Sequence, residues 1–498
     1  MLCAIKKIMV ELPKTLRAPR IDEVPMNSRK KIILYNPKTV FFDMPLALLA
    51  IGSVIDVEKY EVIIIDARVE ENVVELIEQH IHSAICFGVT IITGAPIKDG
   101  LYISKKVKEL APDVPVIWGG WHTSLFPEQP IEDHIFIDIT VQGQGEETFR
   151  ELVEHLDKGI PLDDVKGITY RNNEDVVKNP PRPMAAMDSF DRVNYDLINV
   201  EKYFEKKGKR QFDFISSTGC YFRCAFCADP FVYERKFTAI PSAKMGDDLE
   251  YYYRKYRFSD LNFQDETFFT YAERIEEFAK ELISRKINIS WAATMRADQG
   301  ERLTDNIWKL CKQSGLRRLL IGVESGSQDM MDWMKKDIKL TQVFFCAEKC
   351  KELDVSVIFP FIVGFPEETD DSVADTVKII KQLNSQSPNF NTPVFYFKPY
   401  PGSTITKEVV NNGYLLPAST EEWGDFDYIG SSGPWVSKEK EKFFEDFKFY
   451  LKLGYGGKRG VFFYPLRKMG QLRCKNDQYK FPIEKFIIEK IRTKLPLS

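Results

Sequence analysis

Histidine is nearly missing from this 498-residue chain, with five, and cysteine is sparse, with nine. So few cysteines cannot cross-link a chain of this length as a secreted disulfide scaffold, and thiols left free to bind metal belong in a reducing compartment. A long hydrophobic run is also lacking. The longest apolar stretch, residues 40–55, is interrupted by Asp43 and Pro45 and falls short of the ~20 residues that cross a bilayer. The first twenty residues mix apolar side chains with Lys6, Lys7, Glu11 and Lys14, unlike a secretory leader. No internal repeat is present. Neither sign of charge dominates, with 69 Lys and Arg against 73 Asp and Glu and a net charge of −4. These absences leave the expectation of an ordinary globular, cytoplasmic protein of two or three domains, with no nucleic-acid partner. One asymmetry stands out. Between Lys458 and Lys494, eleven Lys or Arg face only Asp477, Glu484 and Glu489, giving this tail about +8.

Hydrophobic periodicity divides the rest. Residues 31–35, 61–65, 84–89, 114–118 and 135–141 read as strands, with helical patterns over 45–54, 73–82, 96–110 and 146–156. Such alternation predicts an open, Rossmann-like parallel sheet, which binds ligands beyond the carboxyl ends of its strands. From about 167 to 204 the pattern breaks. Arg171-Asn172-Asn173 reads as a hairpin turn, and Pro180, Pro181 and Pro183 mark a linker. The alternation resumes with strands over 212–216, 260–264, 289–294, 318–323, 355–363 and 394–398. Six strand–helix units predict a partial (β/α)6 barrel, whose reactive residues project from the carboxyl ends of the strands. The expected divisions are a sheet domain over 28–160, a linker over 161–208, a barrel over 209–410 and a mainly helical region over 411–498.

Three of the scarce cysteines, Cys220, Cys224 and Cys227, fall within eight residues directly after the first barrel strand. No histidine or fourth cysteine is near enough to close a tetrahedral zinc site. Three thiolates on a four-iron cluster leave one iron open to a substrate or cofactor, whereas electron-transfer clusters usually take four. Cys311, Cys346 and Cys350 fit better as buried thiols in helix packing.

The run Cys220-x3-Cys224-x-Phe226-Cys227 resembles the signature of the radical S-adenosylmethionine (SAM) superfamily. That resemblance implies a [4Fe-4S] cluster on the three cysteines, SAM chelated to the open iron, and cleavage of SAM to a 5′-deoxyadenosyl radical. It also implies a low-potential reductant such as flavodoxin or ferredoxin, and anaerobic chemistry. The strand ends then supply candidate SAM contacts. Asp265 and Glu266 follow the second barrel strand and can hold the SAM amino group, handle protons or simply face solvent at a helix start. Arg296 follows the third and suits the SAM carboxylate or an ion pair with Asp298. Glu324 and Ser325 end the fourth, Glu324 being the acid expected to contact SAM and to join the cysteines as a catalytic residue. Gly364, in the segment Phe361–Glu367, ends the fifth and resembles the part that packs on adenine.

A second resemblance lies in the N-terminal sheet. Its order, with turns Gly119-Gly120-Trp121-His122 and Gly143-Gln144-Gly145-Glu146, is similar to the cobalamin-binding domain that precedes the barrel in one large radical SAM class. Thr90, Thr93, Gly119, Gly120, His122 and Gly143 are its candidate contacts. The Asp-x-His-x-x-Gly motif that supplies a lower histidine to cobalt is absent, as it often is in this class.

The resemblance implies cobalamin-dependent methylation of an unactivated carbon in a small-molecule or lipid substrate. The runner-up is radical ring closure or rearrangement, and the competitor from another class is a non-catalytic iron–sulfur electron carrier or sensor. In the tail, Ile483, Phe486, Ile487 and Ile491 share one helical face among basic residues, with Phe462, Phe463 and Tyr464 upstream. This pattern suits either packing on the barrel or a peripheral membrane contact. The cysteine assignment predicts that Cys220→Ala, Cys224→Ala and Cys227→Ala each abolish cluster assembly, while Cys311→Ala, Cys346→Ala and Cys350→Ala leave iron content unchanged. Iron and acid-labile sulfide assays on the purified variants check it, and full iron in Cys224→Ala refutes it.

Overall fold

A computed structural model describes residues 29–426, 433–456, 464–479, 482–486 and 488. Five parallel strands open the chain: β1 (Lys30–Asn36), β2 (Tyr60–Asp66), β3 (Ala84–Thr90), β4 (Val116–Gly119) and β5 (Ile139–Val141). They pair in the order β2-β1-β3-β4-β5. In β1, successive side chains bury on opposite faces. Ile33 and Tyr35 join Phe87, Ile103 and Trp118 on one side, while Ile32 and Leu34 join Leu48, Phe149 and Leu152 on the other. Helices cover both faces, which is why the strand reads as a continuous apolar run.

The hairpin expected at Arg171-Asn172-Asn173 forms, with Asn173 in the left-handed region at φ 56°. It is not part of a linker, however. β6 (Ile168–Asn172) pairs antiparallel with β5, and β7 (Asp175–Lys178) pairs with β6, so the first sheet runs to seven strands and ends at Lys178. Only about 179–210 connects it to the barrel.

The barrel strand β8 (Gln211–Phe214) is followed by two short strands, β9 (Ser217–Gly219) and β10 (Phe237–Ala239), which pair antiparallel and close the cysteine loop between them. Then come β11 (Asp260–Phe263), β12 (Ser290–Met295) and β13 (Leu316–Ile321). The fifth and sixth positions are each split, into β14 (Ser356–Ile358) with β15 (Phe361–Val363), and β16 (Phe390–Asn391) with β17 (Val394–Tyr396). All barrel pairings are parallel. Sequence patterning predicts an unbroken fifth strand over 355–363, which Pro360 interrupts because proline has no N–H to give the ladder; the expected sixth strand, 394–398, is preceded by β16 on the far side of Pro393. The proline carbonyls still accept: Pro360 from Val323 and Glu324 N–H at 3.2 and 3.1 Å, and Pro393 from Phe361 N–H at 2.9 Å. Phe212, Phe263, Trp291 and Leu319 fill the core. Cys311, Cys346 and Cys350 are fully buried there, and burial lifts the Cys311 and Cys346 thiols to about 12.

The C-terminal region is helical, chiefly Lys438–Tyr455 and Tyr464–Lys475. These two helices cross at Gly454 and Gly470, where a Cβ on Gly470 would stand 2.7 Å from the Gly454 nitrogen. A preceding segment packs against the first sheet's helices: Thr420 donates to Asp133, and the Trp423 ring lies 4.9 Å from Phe126. Among the described residues no helix is long and apolar enough to cross a membrane. Of the tail's expected apolar face, Ile483 and Phe486 are exposed, whereas Phe462, Phe463, Ile487 and Ile491 lie outside the described residues, as does Cys3.

Candidate functional site

Gly219, the last residue of β9, fixes where the cysteine loop begins. It lies at φ 87°, and a Cβ there would run into the Lys236 carbonyl across the β9–β10 pair. The three thiols follow, all free and partly buried. Burial lifts Cys220 to about 11 and Cys227 well above the ordinary thiol range. Thiolates in this position need a metal to offset their desolvation. Among the described residues no three His, Cys, Asp or Glu surround a single metal-ion position. A cluster takes one thiolate per iron, so its ligands need not converge on one point.

Around the loop, the barrel strand ends contribute several buried acids. Asp265 accepts from Ser216 N–H, from the Ser216 hydroxyl at 2.7 Å and from the Ser217 hydroxyl, and it faces Arg274. Its oxygens are committed to holding β8 against β11, so the expectation that it contacts SAM is corrected. Glu266 is different. Its Oε2 is buried with no hydrogen-bond partner. Burial, then the Asp229 carboxylate, pushes its pKa up to about 8, against the pull of backbone N–H groups. Asp229 is itself raised by burial. Tyr233, raised well above 10 by burial, lies beside Glu266, Asp229 and Glu146.

Glu324 sits in the left-handed region at φ 68°, strain of a kind that collects at functional sites. Its Oε1 pairs with Lys336 Nζ at 2.8 Å, both side chains buried. Arg296 is engaged on every side: Nε to Asp298 at 2.9 Å, Nη2 to the Lys336 carbonyl at 2.6 Å and Nη1 to Cys224 Sγ at 3.4 Å. That leaves no free fork for a carboxylate, and the ion pair is half-buried, with Arg296 inside and Asp298 partly exposed. Ser325 is likewise committed, 3.2 Å from the Thr376 hydroxyl. Gly364 donates to Glu368 at 2.8 Å and accepts from Trp435 Nε1 at 2.7 Å. Beside it Phe365 stacks on Phe397 and meets Phe226 edge-on at 6.4 Å.

Tyr233 also lines a cavity of about 250 Å³, between the carboxyl edge of the first sheet and the first barrel strand. Thr90, Gly119, Gly120 and Gly143 line it on the sheet side; Phe214, Thr218 and Tyr233 line it on the barrel side. Gly120 has φ 100°, and a Cβ on it would come 2.9 Å from the Ile91 carbonyl. Gln144, also in the lining, keeps a buried Nε2 with no partner.

The profile of the radical SAM superfamily matches residues 214–380, and that of the B12 binding domain matches residues 37–153. The chain belongs to the radical SAM superfamily and carries a B12-binding domain ahead of its barrel. An uncharacterized methyltransferase of Pyrococcus horikoshii is 27% identical over 415 residues, covering 82% of this chain and 88% of its own. The anaerobic magnesium-protoporphyrin IX monomethyl ester cyclase of Rubrivivax gelatinosus is 26% identical over 329 residues, 65% of this chain and 58% of its own. The solved structure of the radical SAM methyltransferase TsrM from Kitasatospora setae aligns with a TM-score of 0.70 at 16% identity, covering 93% of this chain and 99% of that one. At that identity the likeness is one of fold.

For a radical SAM enzyme the donor set fits the cofactors. The thiol trio suits a cluster, and the unpaired Glu266 oxygen suits an ammonium group. A glycine-edged cavity with the unpaired Gln144 Nε2 donor suits a cofactor bristling with amide acceptors. Two B12-side expectations are corrected. His122 is fully buried, donor or acceptor to Thr93 at 3.1 Å and packed on Phe126 and Trp423, and neither His122 nor Thr93 lines the cavity. Burial also lowers its pKa to about 4, so it stays neutral. Helix Trp121–Leu125 turns the ring inward, an orientation a turn motif does not encode. Tyr233, Asp229, Gln144 and Lys336 were not singled out from sequence. Asp229 follows the cysteines so closely that proximity alone was a usable signal, whereas Lys336 reaches Glu324 only through folding.

An acid raised to about 8 holds a proton in the folded chain that the unfolded chain has already lost above pH ~4.5. Stability therefore falls between about pH 4.5 and 8, by roughly 1.4 kcal/mol per unit for this group. In cofactor-free protein Glu266→Gln should remove that contribution, so that the variant's melting temperature exceeds the parent's by a margin that grows toward pH 8. Equal slopes for the two proteins would refute it.

Proposed function

We propose that this radical SAM enzyme methylates an unactivated carbon of a small-molecule substrate held between its two cofactor sites. When bound, the cluster and SAM would supply a 5′-deoxyadenosyl radical to remove hydrogen, and methylcobalamin, recharged by the methyl of a second SAM, would supply the methyl group. The observation that carries this reading is the convergence at Tyr233, which lines the B12-side cavity and also lies beside Glu266 and Asp229, the acids around the cysteine loop. The chain's own residues hold and shield these groups. Cys220, Cys224 and Cys227 ligate the cluster. Glu266 takes the SAM ammonium, satisfying its unpaired oxygen. Glu324, positioned by Lys336, stands at the next strand end, and the Gly364 turn with Phe365 and Phe226 forms the apolar wall. Thr90, Gly119, Gly120, Gly143 and Gln144 cradle cobalamin, and no histidine lines the cavity to reach cobalt.

Ring closure is the second reading, favoured by the cyclase relative. The two differ in where the methyl group goes. With methyl-deuterated SAM, a one-electron donor such as flavodoxin or ferredoxin and an anaerobic cell extract, methylation predicts a product that carries the intact labelled methyl. Formation of 5′-deoxyadenosine with no label in any product leaves ring closure standing. No 5′-deoxyadenosine at all defeats both.

We further propose that a lipid-soluble substrate is reached from a membrane surface. Tyr464, Leu472, Ile483 and Phe486 are 59–65% exposed, and Leu472 shares a groove with Lys381, Arg467, Lys468 and Lys475. Apolar side chains rimmed by cations suit an anionic interface. Flotation with anionic vesicles at low salt should fall at least several-fold for Leu472→Asp with Lys468→Glu, and neutral vesicles should bind neither protein. Equal flotation of both would mean that this face only packs.

A further inference from the structure

Arg296 caps helix Ala297–Arg302 at the end of β12, yet the residue is only 7% exposed and its side chain turns toward the cysteine loop. Nη1 donates to Cys224 Sγ at 3.4 Å. The ring of Phe222, which lies between Cys220 and Cys224 in the chain, covers the guanidinium at 3.6 Å and keeps water from that face. Nη2 is anchored on the Lys336 carbonyl and Nε on Asp298. The guanidinium thus has one adjustable contact left, and it is a thiol sulfur. Among the described residues Cys224 alone of the three thiols receives a bond from a cationic side chain. The neighbouring cation, Lys336, is neutralised by Glu324 at 2.8 Å.

We propose that Arg296 is a positioning residue that sets the reduction potential of the cluster through Cys224. One electron from an external low-potential donor adds one negative charge to the cluster, with no bond made or broken. A fixed N–H donor on a ligand sulfur and a positive charge in a water-poor setting stabilise the more negative form, and so raise the potential. Asp298 opposes this, but it holds Nε, on the side of the guanidinium away from the sulfur contact, and is partly open to solvent screening. Arg296 therefore eases reduction at one corner of the cluster, beside the acids that would otherwise make electron entry harder.

The inference rests on the cluster reading of the three thiols, which the iron content of the parent protein tests separately. The decisive measurement is the midpoint potential of the anaerobically reconstituted, SAM-free protein, followed by electron paramagnetic resonance. Arg296→Met should lower it by a tenfold change in the reduction equilibrium, about 59 mV for one electron. Arg296→Lys, which keeps the charge, should recover part of the shift. Asp298→Asn, which removes the opposing charge without touching the sulfur, should move the potential upward. An unchanged potential in Arg296→Met with full iron content overturns the proposal. If Arg296→Met assembles no cluster, Asp298→Asn decides: a rise supports the proposal, and an unchanged or lower potential overturns it.

Discussion

The carboxylate of Asp213 is the point on which the two halves of the molecule are aligned. It lies on β8, fully buried. Its Oδ2 accepts the Met44 N–H at 2.8 Å, from the loop that follows β1, and pairs with Lys207. The Asp213 carbonyl accepts the Tyr195 hydroxyl at 2.8 Å. One residue thereby ties the carboxyl end of the first sheet, the connecting segment and the first barrel strand. Burial pushes the Asp213 pKa up, and Lys207 holds it down. Breaking such a buried pair from one side costs about 3–5 kcal/mol, because it strands a desolvated charge. With this joint fixed, both sheets present their carboxyl edges to the same space, and the cavity and the cysteine loop become neighbours.

What gathers in that space is mostly acid. Glu146 comes from the first sheet, Asp229 from the cysteine loop and Glu266 from the end of β11, and burial raises all three. The nearby cations are already spoken for, Lys336 by Glu324 and Arg296 by Asp298. A site with surplus buried carboxylate is suited to cationic guests, and the ammonium and sulfonium of SAM are such guests. Its apolar walls serve a different need. Phe365 stacks on Phe397 and takes Phe226 and Trp333 edge-on, and a carbon radical survives only where few polar hydrogens and little water can reach it.

The element order was legible because burial on both faces of a parallel sheet leaves a plain record of apolar runs separated by amphipathic helices. The pattern failed where a pairing partner, not the segment itself, decides the outcome. β6 and β7 look like the start of a linker and become sheet because β5 has a free edge. β9 and β10 are three residues each, too short to leave any periodicity, and they pair only because Gly219 lets the Lys236 carbonyl approach.

The sequence by itself determined the three-thiol loop, since the spacing of Cys220, Cys224 and Cys227 is a property of the chain and needs no partner. It also determined the two-domain order and the strand ends from which the site would be built. Tertiary structure alone decided what each strand-end residue does there. Asp265 and Glu266 are adjacent and chemically alike, yet Asp265 is saturated by Ser216 and Ser217 while Glu266 Oε2 is left unpaired. His122 and Gly120 share one turn, yet one faces a tryptophan and the other the cavity. A carboxylate's role depends on which donors reach it and how much water is removed. Both are set by residues tens to hundreds of positions away, and only the packed chain brings them together.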